Sequence, residues 1–281
     1  MSRTIAVVAA GAMGAAVGAR LAARGARVVT SLDGRSEASI VRARAAGMIG
    51  VGDAELAGAE IFLSIVPPDK AVGLATRMAA AIAAARTRPV YVDLNAVSPA
   101  TAREVGAIVA AAGATFVDGG IFGAPPQREG KGPAFHLCGP VGDCAAILAG
   151  HGLDAKVLEG GVGAASALKM AYAGITKGLT ALGAGMILAA TRHGVGGALL
   201  DELGASQPEL LARLAKGIPD MLPKAYRWVP EMREIAATIG EDRPESAVYT
   251  AMAEFYAAVA ADHAGEERET ALLMRFFAGR G

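Results

Sequence analysis

The turn Ala9-Ala10-Gly11-Ala12-Met13-Gly14 constrains this chain more than any other segment. An apolar run precedes it, and an alanine-rich stretch and a second apolar run follow, so residues 4–30 read as strand, turn, helix, strand. Against the pattern Gly-x-Gly-x-x-Gly it keeps the second and third glycines and carries alanine at the first. Gly11, the second, lets a backbone approach a pyrophosphate; Gly14, the third, lets the helix lie close on the strand. The helix start aims N–H groups and a positive dipole end at an anion. Ala9 adds one methyl group, which a negative φ accommodates. An ordinary βαβ turn without a ligand is the other reading. The strand before and the helix after favour a dinucleotide held by Ala10, Gly11, Ala12, Met13 and Gly14.

The chain has 281 residues, 53% hydrophobic and 19% charged, enough for a sizeable core in two domains or one large one. Aromatics make up only 5%, and alanine and glycine abound, which favours close helix–helix and helix–sheet packing. Lys and Arg balance Asp and Glu at a formal net charge of +0, and the basic residues are scattered, which argues against nucleic acid as a partner. Cys138 and Cys144 form no C-x-x-C pair and are expected to be small buried thiols in a reducing compartment. The histidines are dispersed, so no metal site is expected. No signal peptide is visible, and the longest charge-free apolar stretch, Gly178–Ala190, is too short for a bilayer. A cytoplasmic protein without a membrane partner is the expectation.

Strands are expected at Ile5–Ala9, Val28–Thr30, Ile61–Val66, Val90–Asp93, Thr115–Asp118, Phe135–Cys138 and Lys156–Leu158. Helical stretches lie between the earlier ones, at Met13–Arg24, Ser36–Ala46, Asp69–Ala85 and Pro99–Ala112. Continuously apolar strands joined by helices predict a doubly wound α/β domain with a parallel sheet covered on both faces, residues 1–160. From Ala164 the pattern is helical throughout: Ala164–Thr191, Glu209–Lys216, Ala225–Ile239, Pro244–Ala261 and Glu266–Phe277. The expected second domain, residues 161–281, is all-α, and the glycine cluster Gly160-Gly161-Val162-Gly163 marks the boundary.

Cofactor choice rests on Thr30-Ser31-Leu32-Asp33-Gly34-Arg35-Ser36, at the end of the second strand. Asp33 would accept ribose hydroxyls, whereas Ser31, Arg35 and Ser36 offer a cation and two hydroxyls to a 2′-phosphate. NADP is expected, with NAD as the alternative. The glycine-rich segment Gly119–Gly132 reads as a loop whose N–H groups line an anion site, or as a surface turn. Phe122 within it is expected against substrate or nicotinamide. Lys169 lies early in the long helix, with Tyr172, Ala173, Thr176 and Thr180 on the same face at about 100° per residue. A lysine there either exchanges a proton with substrate or snorkels to water. Tyr172 orients substrate or shares that transfer, or packs in the core. Lys177 is expected in solvent or at an interface. Tyr226-Arg227-Trp228 would cap a pocket, fill an interface or pack in the core.

These residues, in this order over nearly the whole chain, resemble the β-hydroxyacid dehydrogenase superfamily. That group includes 6-phosphogluconate, 3-hydroxyisobutyrate and tartronate semialdehyde dehydrogenases, with imine reductases as relatives. Gly11-Ala12-Met13-Gly14, Ser64-Ile65-Val66-Pro67 and Val92-Asp93-Leu94-Asn95-Ala96-Val97-Ser98-Pro99 are similar to its cofactor segments. Asp118-Gly119-Gly120-Ile121-Phe122-Gly123-Ala124 stands where its substrate loop does, and Lys169 where its catalytic lysine does. Two positions depart: Phe122 replaces a serine, and Ala173, beside Tyr172, replaces an asparagine. The resemblance implies a Rossmann-type domain followed by an all-α domain of the phosphogluconate-dehydrogenase kind, forming a homodimer with the active site in the interdomain cleft. Val66, Pro67 and Asn95 would then join the cofactor site, and Lys169 and Tyr172 would be catalytic. Gly120, Ile121, Phe122, Gly123, Thr176, Tyr226 and Trp228 would meet a small-molecule substrate, a hydroxy acid or its carbonyl form. A reductase of imines or bulky ketones, and a dinucleotide-binding sensor without turnover, are the alternatives.

Overall fold

The structure, a computed structural model, describes residues 3–240 and 242–278. It divides into two compact units, Met1–Met170 and Ala171–Gly281.

The first unit is built on an eight-stranded sheet: β1 (Thr4–Val8), β2 (Arg27–Thr30), β3 (Ile49–Gly50), β4 (Ile61–Ser64), β5 (Val90–Asp93), β6 (Thr115–Phe122), β7 (Ala134–Cys138) and β8 (Asp154–Val157). Its helices are α1 (Ala12–Ala23), α2 (Glu37–Ala45), α3 (Asp53–Ala57), α4 (Ala71–Ala84), α5 (Pro99–Ala111) and α6 (Cys144–Gly150). The strand order is β3-β2-β1-β4-β5-β6-β7-β8. Alternate residues of β1 serve opposite faces. Ile5 and Val7 join a core with Val17, Leu21 and Leu148, while Ala6 and Val8 join another with Phe62, Met78 and Val105. A strand covered on both sides must be apolar throughout, as these are. Phe62 and Tyr91 stack at 4.7 Å between centroids, and burying one such ring is worth roughly 1.5–3 kcal/mol. Ser98 starts α5 by accepting the Thr101 N–H at 3.2 Å, with Pro99 in the first turn, where its missing N–H costs nothing.

The parallel pattern has one exception, since β6 and β7 pair antiparallel with Gly120 opposite His136. Residues 123–133 between them contain no helix. A parallel return needs a crossover of a dozen or more residues, so this short loop can only reverse the chain. Arg20 of α1 is buried and holds the loop: its Nε donates to Gln127 O at 2.8 Å and its Nη2 to Gly130 O at 2.8 Å. Its Nη1 donates to Gly152 O at 3.2 Å.

Helix α7 (Ala164–Arg192) opens in the first unit and continues in the second, which also holds α8 (Gly196–Ser206), α9 (Pro208–Met221), α10 (Ala225–Ile239), α11 (Pro244–Ala264) and α12 (Arg268–Phe277). The first unit extends to Met170 rather than ending at residue 160, because the opening turns of α7 hydrogen-bond to β6. α10 packs on α11, where buried Ser246 donates its Oγ to Ala236 O at 3.1 Å. By length and composition α7 could cross a bilayer, a test that core helices of folded domains also pass.

Candidate functional site

The C-terminal ends of β1 and β4 are adjacent, and the chain leaves them toward opposite edges of the sheet. Such a switch point is where open α/β sheets bind ligands. The glycine turn lies there. Gly11 is the N-cap of α1, extended at φ −68° and ψ −175°; no described side chain caps the helix and no acid occupies its first turn. The first N–H groups of a helix need partners outside it, so this end fits a pyrophosphate. A Cβ on Gly11 would meet nothing within 4 Å, whereas one on Gly14 would overlap the Ala9 carbonyl oxygen. Gly11 is therefore open to a ligand, and Gly14 is required by packing. Both roles agree with the motif.

The turn after β4 runs beside it, with Ala9 N donating to Ile65 O at 3.1 Å. Val66, half-buried, and exposed Pro67 form its tip. Asn95 is buried and differs from expectation. Its Oδ1 accepts the Val66 N–H at 2.6 Å, while its Nδ2 donates to Ser64 Oγ at 2.8 Å and to Asp93. Its amide is thus spent inside the protein, latching the Val66 turn to β5, and is not offered to a cofactor. Burial pushes the Asp93 carboxyl up to about 7, opposed by hydrogen bonds from Ser64 and Asn95 and reinforced by the nearby Asp118 charge. A carboxyl raised in the native state costs the fold nothing while both states are protonated, and stability falls as pH rises above the unfolded value until the native group ionises as well. Wild type therefore loses stability relative to Asp93→Asn as pH rises from about 4 to about 7, a difference of roughly 3–4 kcal/mol, readable by urea denaturation across that range.

Ser31 is also corrected. It is 1% exposed, and its Oγ accepts from Arg77 Nη2 at 2.8 Å, so it does not stand beside Arg35. Arg77 in turn donates its Nε to Asp53 at 2.9 Å. Arg35 is exposed after β2, and Ser36, the N-cap of α2, pairs its hydroxyl with Ser39 at 3.1 Å. Arg42 was not anticipated: from α2 it donates to Ala10 O in the glycine turn at 3.1 Å.

Lys169 sits on the opening turns of α7. Its Nζ donates to the Ile121 carbonyl at 2.6 Å and lies 5.2 Å from the centre of the Phe122 ring. The Phe122 ring meets His136 edge-on at 5.0 Å. Residues 119–122 belong to strand β6 and not to a loop, so Gly119 and Gly120 form no anion nest. They are glycines because of crowding. A Cβ on Gly120 would lie 3.2 Å from Lys169 Cβ and 3.4 Å from Ala165 O, and one on Gly119 2.8 Å from Leu94 and Leu137. Gly123, at φ 133°, ends the strand in a conformation that favours glycine.

Asp118, fully buried in β6, fixes the start of α7. Its Oδ2 accepts the N–H groups of Gly163 (2.9 Å), Ala165 (3.1 Å) and Ser166 (3.2 Å), and its Oδ1 accepts Ser166 Oγ at 2.6 Å. The Cys138 thiol lies 3.2 Å from the same Oδ2, and burial beside that carboxylate pushes the thiol up to about 11. Of this cluster, only the aspartate was visible in a motif. Cys138 and Cys144 are both buried and unpaired.

In the second unit, Tyr172 is 52% exposed, and the Thr176 hydroxyl bonds back to Tyr172 O at 2.9 Å. Lys177 is not a solvated residue: half-buried, it pairs with Glu231 and lies 4.9 Å from the Trp228 ring centre. Trp228 also meets Tyr256 edge-on at 5.2 Å. Its partly buried indole is thus engaged in packing α7, α10 and α11. Tyr226 is exposed and accepts from Arg227 Nε at 2.9 Å. Among the described residues no group of three potential ligands could hold a metal.

The NAD binding domain of 6-phosphogluconate dehydrogenase matches residues 4–144, half of the chain. The chain belongs to this family. A domain of unknown function, DUF1932, matches residues 190–259 within the helical part. Among solved structures, the family member described here is 26% identical to a conserved protein of unknown function with structural similarity to 3-hydroxyacid dehydrogenases, covering 97% of this chain and 99% of that one at a TM-score of 0.69. It is 20% identical to 3-hydroxyisobutyrate dehydrogenase of Mycobacterium tuberculosis (98% and 99% covered, TM-score 0.69). It is 21% identical to an imine reductase variant of Myxococcus stipitatus in complex with NAD+ (98% and 99%, TM-score 0.57). Nothing among curated proteins matches. This member of the family thus has an NAD(P)-binding dehydrogenase fold like that of hydroxyacid dehydrogenases and imine reductases.

Proposed function

We propose that this protein is an NADP-dependent oxidoreductase acting on a small hydroxy acid or its carbonyl form, with Lys169 as the general acid and base. The observation that carries the reading is the Lys169 amine, held 2.6 Å from Ile121 O at the end of a strand in the same unit as the glycine turn. A lysine whose amine donates to a strand carbonyl has a set direction, and an ammonium has three N–H donors, so one donor could also serve a substrate oxygen. When bound, the nicotinamide supplies or takes the hydride. Lys169 donates a proton to the oxygen of a carbonyl substrate as that carbon is reduced, and takes it back when an alcohol is oxidised. Phe122 walls one side of the amine. A panel of hydroxy acids and carbonyl compounds with NADP+ and NADPH, followed at the nicotinamide absorbance, tests the assignment. Binding without turnover on any of them would leave the sensor reading.

A second reading, reduction of an imine or bulky ketone, draws support from the same Phe122. An aromatic ring 5.2 Å from the amine makes this wall apolar where a carboxylate-binding serine would make it polar.

For NADP over NAD, the support is Arg35, exposed after β2, together with Arg42 of α2, which donates to Ala10 O in the glycine turn. Arg35→Ala should weaken NADPH by about tenfold and leave NADH nearly unchanged, a loss of one exposed charge-assisted contact readable by calorimetry. Equal affinity of wild type for both cofactors would defeat the preference. A second copy of this chain is the proposed partner. On α7, Ile175, Leu182 and Met186 recur at helical spacing with their side chains exposed, and α8 has no buried residue at all. Two unpaired thiols support a reducing compartment, the cytoplasm.

A further inference from the structure

We propose that Asp118 is a positioning residue for the reaction, setting the place of the Lys169 amine through the first turn of α7. The inference rests on the proposed role of Lys169. A helix commonly starts on its own capping serine or aspartate, but α7 is preceded by Gly160-Gly161-Val162-Gly163, which offers no such side chain. The acceptor comes instead from the sheet. The Asp118 carboxylate takes three N–H groups and one hydroxyl of residues 163–166 and stands against the Cys138 thiol. A buried carboxylate is costly unless charge-assisted bonds satisfy it, and the positive end of a 29-residue helix adds to those bonds.

What makes this more than a helix cap is where the two attachments lie. Asp118 and Ile121 are three residues apart on β6, and Ser166 and Lys169 are three residues apart on α7. The carboxylate grips Ser166, and the Lys169 amine grips the Ile121 carbonyl. Between them Gly120 lets the helix backbone sit against the strand, with Ala165 O and Lys169 Cβ at contact distance of any side chain there. The strand that would face substrate therefore also dictates the height and rotation of the helix that carries the amine. Loss of the carboxylate releases the first turn and lets Nζ leave Ile121 O.

The experiment uses the full chain labelled with [15N]lysine. A lysine ammonium held in a hydrogen bond gives a resolved signal, and Lys169→Met identifies which one belongs to Lys169. Asp118→Asn, which keeps size but replaces an acceptor with a donor facing N–H groups, should move or abolish that signal. It should also lower turnover about 10- to 100-fold at unchanged NADPH affinity and displace the pH profile of kcat/KM, as a misplaced catalytic group does. If Asp118→Asn does not fold, Ser166→Ala removes one bond to the same carboxylate and should shift the signal in the same direction by less, with Ser166→Thr restoring it. A folded Asp118→Asn or Ser166→Ala protein with only a lower Tm, and with the Lys169 signal and pH profile in place, overturns the proposal. Turnover of Lys169→Met tests the lysine chemistry by itself, so failure of that chemistry and failure of the anchoring are read from different measurements.

Discussion

Lys169→Met should lower turnover on the best substrate by roughly two to four orders of magnitude, the usual worth of a general acid–base group. Methionine keeps most of the aliphatic stem against Phe122 and Gly120 while removing the amine, so packing is retained and proton exchange is lost. Cofactor affinity should change little, because the glycine turn begins a different helix at the end of a different strand. Stopped-flow turnover with calorimetry of NADPH separates the two quantities. Tyr172→Phe should be milder if the phenol only orients substrate. A Lys169→Met enzyme with near-normal turnover would reject the lysine mechanism and bring the imine or ketone reductase reading forward.

Gly11→Val should abolish detectable dinucleotide binding and leave the fold intact. The backbone at Gly11 has φ −68°, open to any residue, and a Cβ there points into unfilled space. A valine would be harmless to the protein but would stand over the N–H groups at the start of α1. Two charge-assisted bonds to a pyrophosphate, at about 1.5 kcal/mol each, correspond to roughly 100-fold in affinity. Gly14→Ala should do the reverse. Its methyl would overlap the Ala9 carbonyl, α1 would lift from β1, and thermal unfolding would fall by the equivalent of about 1–3 kcal/mol. Equal stability of both variants, or normal NADPH binding by Gly11→Val, would make the turn an ordinary connection.

Much of the fold was legible because its signals are local. Strands buried on both faces read as unbroken apolar runs, and Ser98-Pro99 or Pro244 mark helix starts within a residue or two. Helix α10 occupies the expected Ala225–Ile239, although Pro230 lies inside it. Strand β3 and helices α3, α6 and α8 escaped, as did the glycine end of β6, and the reasons are physical. Strand β3 has two exposed residues and no pattern, and α8 opens on Gly196-Gly197, a poor helix former, with no side buried to give it a period. Gly119-Gly120 reads as loop because glycine weakens strands, and here it is demanded by neighbours arriving from β5, β7 and α7.

The site was legible as a set of positions more than as a set of contacts. Gly11 and Gly14 lie in the turn that opens α1 and Lys169 early in α7, because each is placed by its own local element. Asn95 was misread because its partner lies far along the chain, at the Val66 turn, and the packing of Trp228 with Lys177 and Glu231 was hidden for the same reason. Asp118 was visible in a motif, but its role was not, its bonds to Ser166 spanning 48 residues. No periodicity encodes such a meeting.

The arginine staple on residues 123–133 has an evolutionary consequence. Arg20 grips the carbonyls of Gln127 and Gly130, which every amino acid possesses, and asks nothing of their side chains. The segment that follows Phe122 can therefore exchange its exposed residues, Gln127, Arg128 and Glu129 among them, without losing its hold on α1. Backbone carbonyls do not titrate, so the hold is indifferent to pH as well. The constrained positions are glycines: any side chain at Gly132 would run into the Arg20 guanidinium, and Gly130 holds its carbonyl to Arg20 at φ 83°. Relatives that diverge in substrate could rewrite the exposed side chains of this segment, and the mark of such rewriting would be variable residues around an unchanging arginine and its glycines.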